Sequence, residues 1–153
     1  MKGRVLAFDF GLNHIGVAVG SEELMTAQAL TALKASNGVP NEKALSDLFA
    51  QWQPEFCVVG LPINMDGSDE FMTTRATKFG SRLATTFGVP VYLKDERLSS
   101  VEAKAEIFEH HGGYRTLVKH KGKVDATAAK IILESFFDAG GRYAPEHQLI
   151  SNN

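Results

Sequence analysis

Asp9 is an acid inside the otherwise apolar run Val5 to Phe10, where a carboxylate is costly unless it is paired, hydrogen-bonded or bound to a metal. On its own it reads as a strand-end acid bonded to turn amides. Asp95 and Glu96 follow a second apolar stretch, residues 89–93. Period-two geometry sends these two to opposite sides, so one of them faces a site near Asp9. Asp125 precedes Ala126-Thr127-Ala128-Ala129 and reads as the opening of the last helix, where the helix dipole favours an acid. The small residues behind it permit close packing of that helix end on a sheet. Each acid alone has an ordinary structural explanation. Together, at three element ends and without a cysteine or a histidine pair among them, they suit hard, oxygen-seeking ions such as Mg2+ or Mn2+. Two such ions about 4 Å apart stabilise the attacking and leaving oxygens in phosphodiester cleavage. A zinc-protease reading fails, since no H-E-x-x-H occurs.

The segment 113–123 carries the complementary charge. It reads Gly-Tyr-Arg-Thr-Leu-Val-Lys-His-Lys-Gly-Lys, with Arg115, Lys119, Lys121 and Lys123 giving +4 and no acid. A short basic run is often only a solvated loop. Its place just before Asp125 favours a cationic arm that holds a polyanionic backbone over the carboxylates. Tyr114 suits either stacking on a base or packing. The whole chain has 16 Lys and Arg against 18 Asp and Glu, a net charge of −2, and that balance alone argues against a nucleic-acid binder. Removing the +4 segment leaves −6 on the remainder, so the average conceals a dipolar molecule.

The elements that must position these residues follow from hydrophobic periodicity. With 153 residues, 44% of them hydrophobic, the chain has the size of one domain with a single sizeable core, and disorder is excluded. Val5 to Phe10 reads as a strand, 11–14 as a turn, 15–19 as the second strand of a hairpin, and 27–33 as a third strand. Pro40 suits the start of a helix carrying Leu45, Leu48, Phe49 and Trp52 at helical spacing. The all-apolar run 56–59 fits a strand covered on both faces. Met72, Ala76, Phe79, Leu83 and Phe87 mark a long helix stopped by Gly88, and 89–93 a further buried strand. Ser99 and Glu102 form a capping-box pattern opening a helix to about His111. Residues 112–123 show no periodicity. Val124, Ala128, Ile131 and Ile132 mark the last helix. The expectation is an α/β fold, a mixed sheet with helices on its faces. It occupies a single domain over 1–140, with a polar tail over 141–153. The single cysteine, Cys57, forms no intrachain disulfide, and no run approaches the ~18 apolar residues of a membrane span. A soluble cytoplasmic protein is expected.

These stretches together resemble the YqgF/RuvX family, bacterial Holliday-junction-resolvase-like proteins of the RNase H-like superfamily. The matching segments are Asp9-Phe10-Gly11 with Ile15-Gly16-Val17-Ala18; Val58-Val59-Gly60-Leu61-Pro62 with Met65-Asp66-Gly67-Ser68; Arg75 with Phe79 and Leu83; Asp95-Glu96-Arg97-Leu98-Ser99; and Lys123-Val124-Asp125-Ala126 with Ala128-Ala129. They run in family order over residues 4–139. The resemblance implies an RNase H-like fold with a five-stranded mixed sheet, and Asp9, Glu96 and Asp125 as the divalent-metal acids. It implies maturation of the 5′ end of precursor 16S ribosomal RNA, with Holliday junction resolution on branched DNA as the alternative. Nucleic-acid contacts fall to His14, Arg75, Arg97, Arg115, Lys119, Lys121 and Lys123. Two departures stand out. The family commonly has a basic pair before Ile15, where this chain has Asn13-His14, a weaker and pH-dependent phosphate contact. Related resolvases carry an acid where this chain has Gly60, which leaves Glu96 as the natural third acid.

Two readings compete from other classes. Asp9-Phe10-Gly11 followed by Ile15-Gly16-Val17-Ala18-Val19-Gly20 also looks like the first phosphate loop of sugar kinases and actin-like ATPases, but those enclose ATP between two such domains. A non-catalytic RNA-binding module of ribosome assembly is opposed by the acids, which repel RNA without metal. Ribosomal precursor particles are candidate partners, no membrane is expected, and the chain reads as a monomer or weak homodimer. Cys57 and Trp52 read as core and packing residues.

Overall fold

Val5, Leu6, Ala7 and Phe8 are wholly buried, so the strand they form lies inside a sheet covered on both faces. In the computed structural model the elements in chain order are β1 (Arg4–Asp9), β2 (His14–Ser21), β3 (Thr26–Ser36), β4 (Val39–Pro40), α1 (Glu42–Trp52), β5 (Phe56–Leu61), α2 (Asp69–Phe87), β6 (Val91–Asp95), α3 (Lys121–Asp138), a 3-10 turn (Gly141–Tyr143) and β7 (Gln148–Ile150). The structure describes residues 3–61, 69–95, 121–144 and 147–150, with 69, 70, 95 and 121–123 described by backbone alone. The strands form one sheet in the order β4-β3-β2-β1-β5-β6-β7. β1, β5 and β6 run parallel, and every other pairing is antiparallel.

Strand alternation divides the core in two. Leu6, Phe8, Ile15, Val17, Cys57 and Val59 pack against α1 and α2. Val5, Ala7, Ala18, Phe56 and Val58 pack against α3. α2 buries Ala76, Phe79, Leu83 and Ala84, and the Phe79 ring meets Phe8 edge-on at 5.4 Å between centroids. α3 buries Ala129, Ile132, Leu133 and Phe136 on the opposite face.

The expected five-stranded sheet has seven strands among the described residues. The two additions are β4, of two residues, and β7, of three, too short to show a period. β7 lies in the segment read as a polar tail and pairs with β6, covering backbone groups that an edge strand would expose. Pro40 belongs to β4 and does not open α1. The N-cap is Asn41, whose Oδ1 accepts the Ala44 amide at 2.9 Å. The last helix begins at Lys121 and not beside Asp125, so Asp125 sits beyond the first turn. Gly122 and the basic residues around it disguise that turn as loop. β6 runs to Asp95, two residues past the expected strand. The helix expected over 99–111 lies outside the described residues.

Candidate active site

One transverse row of the sheet organises the site. Gly16 on β2, Asp9 on β1, Gly60 on β5 and Lys94 on β6 are successive register partners. Asp9 shares its face with Val5 and Ala7, the face that α3 covers. It is therefore flanked on both sides by residues without side chains. A Cβ on Gly16 would collide with the Asp125 carbonyl and crowd the Ala126 amide. The missing side chain thus lets the backbone of α3 rest on β2 at this point. Ala126, Ala128 and Ala129 are buried in the same stretch and keep the helix close. The Asp125 backbone therefore rests beside the register partner of Asp9, at one end of one sheet face. Asp9 and Asp125 are half-buried, and Asp125 Oδ2 is itself enclosed.

His14, the first residue of β2, lies two positions before Gly16 and so shares its face. Its register partner is Lys34. The structure thus places His14, Asp9 and the Asp125 backbone near the same end of one sheet face. Arg75 is set apart: it lies on α2 against the opposite face, donating from Nη1 to the Asn37 carbonyl at 3.3 Å, with its guanidinium 5.1 Å from the Phe71 ring centre. Lys121 and Lys123 fall in the first turn of α3 and not in a loop. Glu96, Arg97, Arg115 and Lys119 lie outside the described residues, as does the loop 62–68. Lys94 was no candidate from sequence. The signal for it is its period-two spacing from Tyr92, whose ring meets Phe56 and Phe136 on the α3 side.

Among the described residues, no three or more His, Cys, Asp or Glu gather as a metal cluster. Asp9 and Asp125 present oxygen donors only, the chemistry a hard divalent ion takes. They fit such an ion as part of a ligand set that needs a further oxygen donor. Cys57 contributes nothing here, since it is wholly buried within the α1 and α2 core and burial pushes its thiol well above the ordinary range.

A mixed sheet with α1 and α2 on one face and α3 on the other is an α/β fold of the kind that RuvC structures show. The RuvC of Thermus thermophilus solved in complex with a Holliday junction substrate matches with a TM-score of 0.52 at 19% identity, covering 89% of this chain and 94% of that one. A second Thermus thermophilus RuvC structure matches with a TM-score of 0.52 at 16% identity, covering 96% of this chain and 99% of that one. The family described as "RuvX: Holliday junction resolvase" matches residues 3–139, and the chain belongs to this RuvX (YqgF) family. Curated relatives carry the name "Putative pre-16S rRNA nuclease". The one from Photorhabdus laumondii is 53% identical, over 88% of this chain and 94% of its own. That from Glaesserella parasuis is 54% identical, over 90% and 98%. That from Enterobacter sp. is 52% identical, over 92% and 99%.

Proposed function

We propose that this chain is a divalent-metal-dependent nuclease that processes the 5′ end of precursor 16S ribosomal RNA. It is a hydrolase of phosphodiester bonds, in keeping with its family and with relatives named as pre-16S rRNA nucleases. The observation that carries the reading is the juxtaposition of Asp9 and Asp125 across Gly16. Asp9 and Asp125 would hold the Mg2+ or Mn2+ ion, and Glu96, one residue beyond β6, completes the acid set. A bound divalent ion supplies a water made acidic enough to attack phosphorus and neutralises charge on the leaving oxygen. The protein's own part is to fix two carboxylates on a rigid strand end and helix. His14 and Lys94 orient backbone phosphates beside them, and the 115–123 segment grips the flanking strand. The chain acts in the cytoplasm as a monomer or weak homodimer. Cleavage of branched DNA is the second reading, favoured by the family's description and by the junction-bound RuvC that shares the fold.

The test is a side-by-side cleavage assay with Mn2+ on precursor 16S RNA and on a four-way DNA junction. Wild-type protein is expected to cut the RNA, and Asp9→Asn and Asp125→Asn to lose at least a hundredfold in rate with unchanged melting. If both variants cleave as fast as wild type, the assignment fails. If only the junction is cut, the substrate is branched DNA.

A further inference from the structure

We propose that Arg75, Lys78 and Arg82 on α2, together with the turn at Asn37 and Gly38, form a second nucleic-acid backbone site on the sheet face opposite Asp9. The proposal rests on the nuclease reading and extends it: substrate leaving the carboxylates is held again where it rounds the end of β1.

The charge pattern is the first observation. Residues 71–87 of α2 contain three cations, Arg75, Lys78 and Arg82, and no acid, in a chain whose net charge is −2. An ordinary solvent-facing helix carries both signs and uses i,i+4 pairs; these cations have no carboxylate four residues away on α2. At ~100° per residue the three lie within ~60° of arc, and the seven-residue span covers ~10 Å of axis. That length spans neighbouring phosphates of one strand.

The second observation is a built concavity. The three side chains and the Phe10, Asn37, Gly38, Val39 and Phe79 walls enclose a cavity of about 80 Å3. Three cations on its wall suit an anionic group such as a phosphate. No carboxylate lines it among the described residues. Arg75 is held in place by the Asn37 carbonyl. Asn37 and Gly38 both take positive φ, 54° and 85°, and the Gly38 amide donates to the Leu12 carbonyl at 2.9 Å. A Cβ on Gly38 would come within 2.8 Å of the Phe10 ring. The turn is thus fastened to the segment that leaves Asp9.

The third observation is location. Phe10 follows Asp9 directly in sequence and lines the cavity from the other face of the sheet. The two sites therefore share one sheet end, separated by the sheet's thickness. A backbone that bends over the end of β1 meets both.

The experiment uses the full chain and a fluorescein-labelled RNA covering the 16S leader and mature 5′ end. Binding is measured by anisotropy without divalent ion across a potassium chloride series, and cleavage with Mn2+ separately. Arg75 is left intact because it braces the turn. Lys78→Ala/Arg82→Ala removes two exposed cations, and Lys43→Ala, whose ammonium already pairs with Asp47 at 3.0 Å, is the control. The expected result is a fall of about 1.5 to 2 in the log–log salt slope for the double variant. KM rises, kcat stays within about twofold, and the control matches wild type. A double variant with the wild-type slope overturns the proposal while leaving the nuclease reading intact. A wild-type protein that neither binds nor cuts this RNA overturns both.

Discussion

The backbone carbonyl of Asp125 occupies the space that a side chain on Gly16 would fill. Gly16 is the register partner of Asp9, so the absence of one methyl group lets α3 rest on the strand pair that carries Asp9. Gly16→Ala must push α3 away from β2, because the colliding atom is backbone and has no rotamer to yield. Overpacking of this kind costs about 3 kcal/mol, and a chain of this length loses about 3 °C of melting temperature per kcal/mol. The variant is expected to melt about 10 °C lower and to lose cleavage beyond what the lost stability explains. Gly80→Ala is the contrast. Its new Cβ would meet side chains and no backbone, Ile150 Cδ1 at 3.1 Å, Val91 Cγ1 at 3.4 Å and Leu93 Cδ2 at 3.6 Å, and the gain in helix propensity is about 1 kcal/mol. Calorimetry of both variants checks the pair; equal melting would refute the close-approach account.

Arg142 ties the 3-10 turn after α3 to the hairpin between β2 and β3. Its Nε donates to Glu22 Oε2 at 2.9 Å and its Nη2 to Oε1 at 2.5 Å, while the guanidinium lies 4.6 Å from the Phe56 ring centre. A two-point charged pair at such a half-buried site is worth about 2 kcal/mol. Arg142→Ala is expected to cost that much, and Arg142→Lys to recover little, because an ammonium cannot reproduce the planar fork. The hydrogen bond to Glu22 raises the guanidinium pKa in the folded state. The stability it contributes is therefore complete below the unfolded-state value and lost only in strong alkali. Melting curves of wild type and Arg142→Ala should stay parallel from about pH 6 to pH 9; convergence as pH rises through that interval would contradict the assignment.

Much of this architecture is legible in the sequence because apolar runs report burial directly. Val5 to Phe8 and Phe56 to Val59 are wholly buried, as their composition requires, and the α2 face at Ala76, Phe79 and Leu83 follows from spacing alone. The missed features depend on partners. β7 exists because β6 has an edge to cover, which no property of Gln148-Leu149-Ile150 announces. The first turn of α3 is hidden by Gly122, whose low helix propensity argues against a helix at that position. The acids Asp9 and Asp125 stand out as polar residues in costly or end positions. Lys94 does not, because a lysine near a strand end looks solvated until the register places it beside Gly60. Lys78 and Arg82 are visible as spacing from Arg75, but only the cavity they line distinguishes them from a wet helix face.

Cys57 is wholly buried, and burial raises its thiol far above the ordinary value of 9.0. The thiolate is the reactive form, so the native protein should resist an aromatic disulfide reagent for hours at about pH 8 and react within minutes in denaturant. The same shift makes a stability prediction. Above the ordinary value the unfolded thiol gives up its proton while the folded one keeps it, so stability falls as pH rises. Cys57→Ala should remove that part of the alkaline slope. Fast labelling of the native chain would show that the strand opens locally.

Lys94 stands two strands from Asp9 in one transverse row, with only Gly60 between them. The separation is about 10 Å at the backbone, within reach of a lysine side chain extending along the face, and Gly60 presents nothing to block it. A cation there has two opposing electrostatic consequences. It attracts the substrate's phosphates, offsetting repulsion from Asp9 and Asp125, and it repels a divalent ion at those same carboxylates. Lys94→Ala is therefore expected to raise KM for RNA and reduce the log–log salt slope by about one. The same variant should lower the Mn2+ concentration needed for half-maximal rate. Lys94→Arg should keep the wild-type slope. A half-exposed strand-end lysine contributes little to folding, so melting should shift by no more than about 2 °C. The two activity readouts moving in opposite directions separate a phosphate contact from a merely structural residue, whose loss would weaken RNA and metal binding together. If KM and the Mn2+ requirement both rise, Lys94 supports the strand end and does not touch substrate.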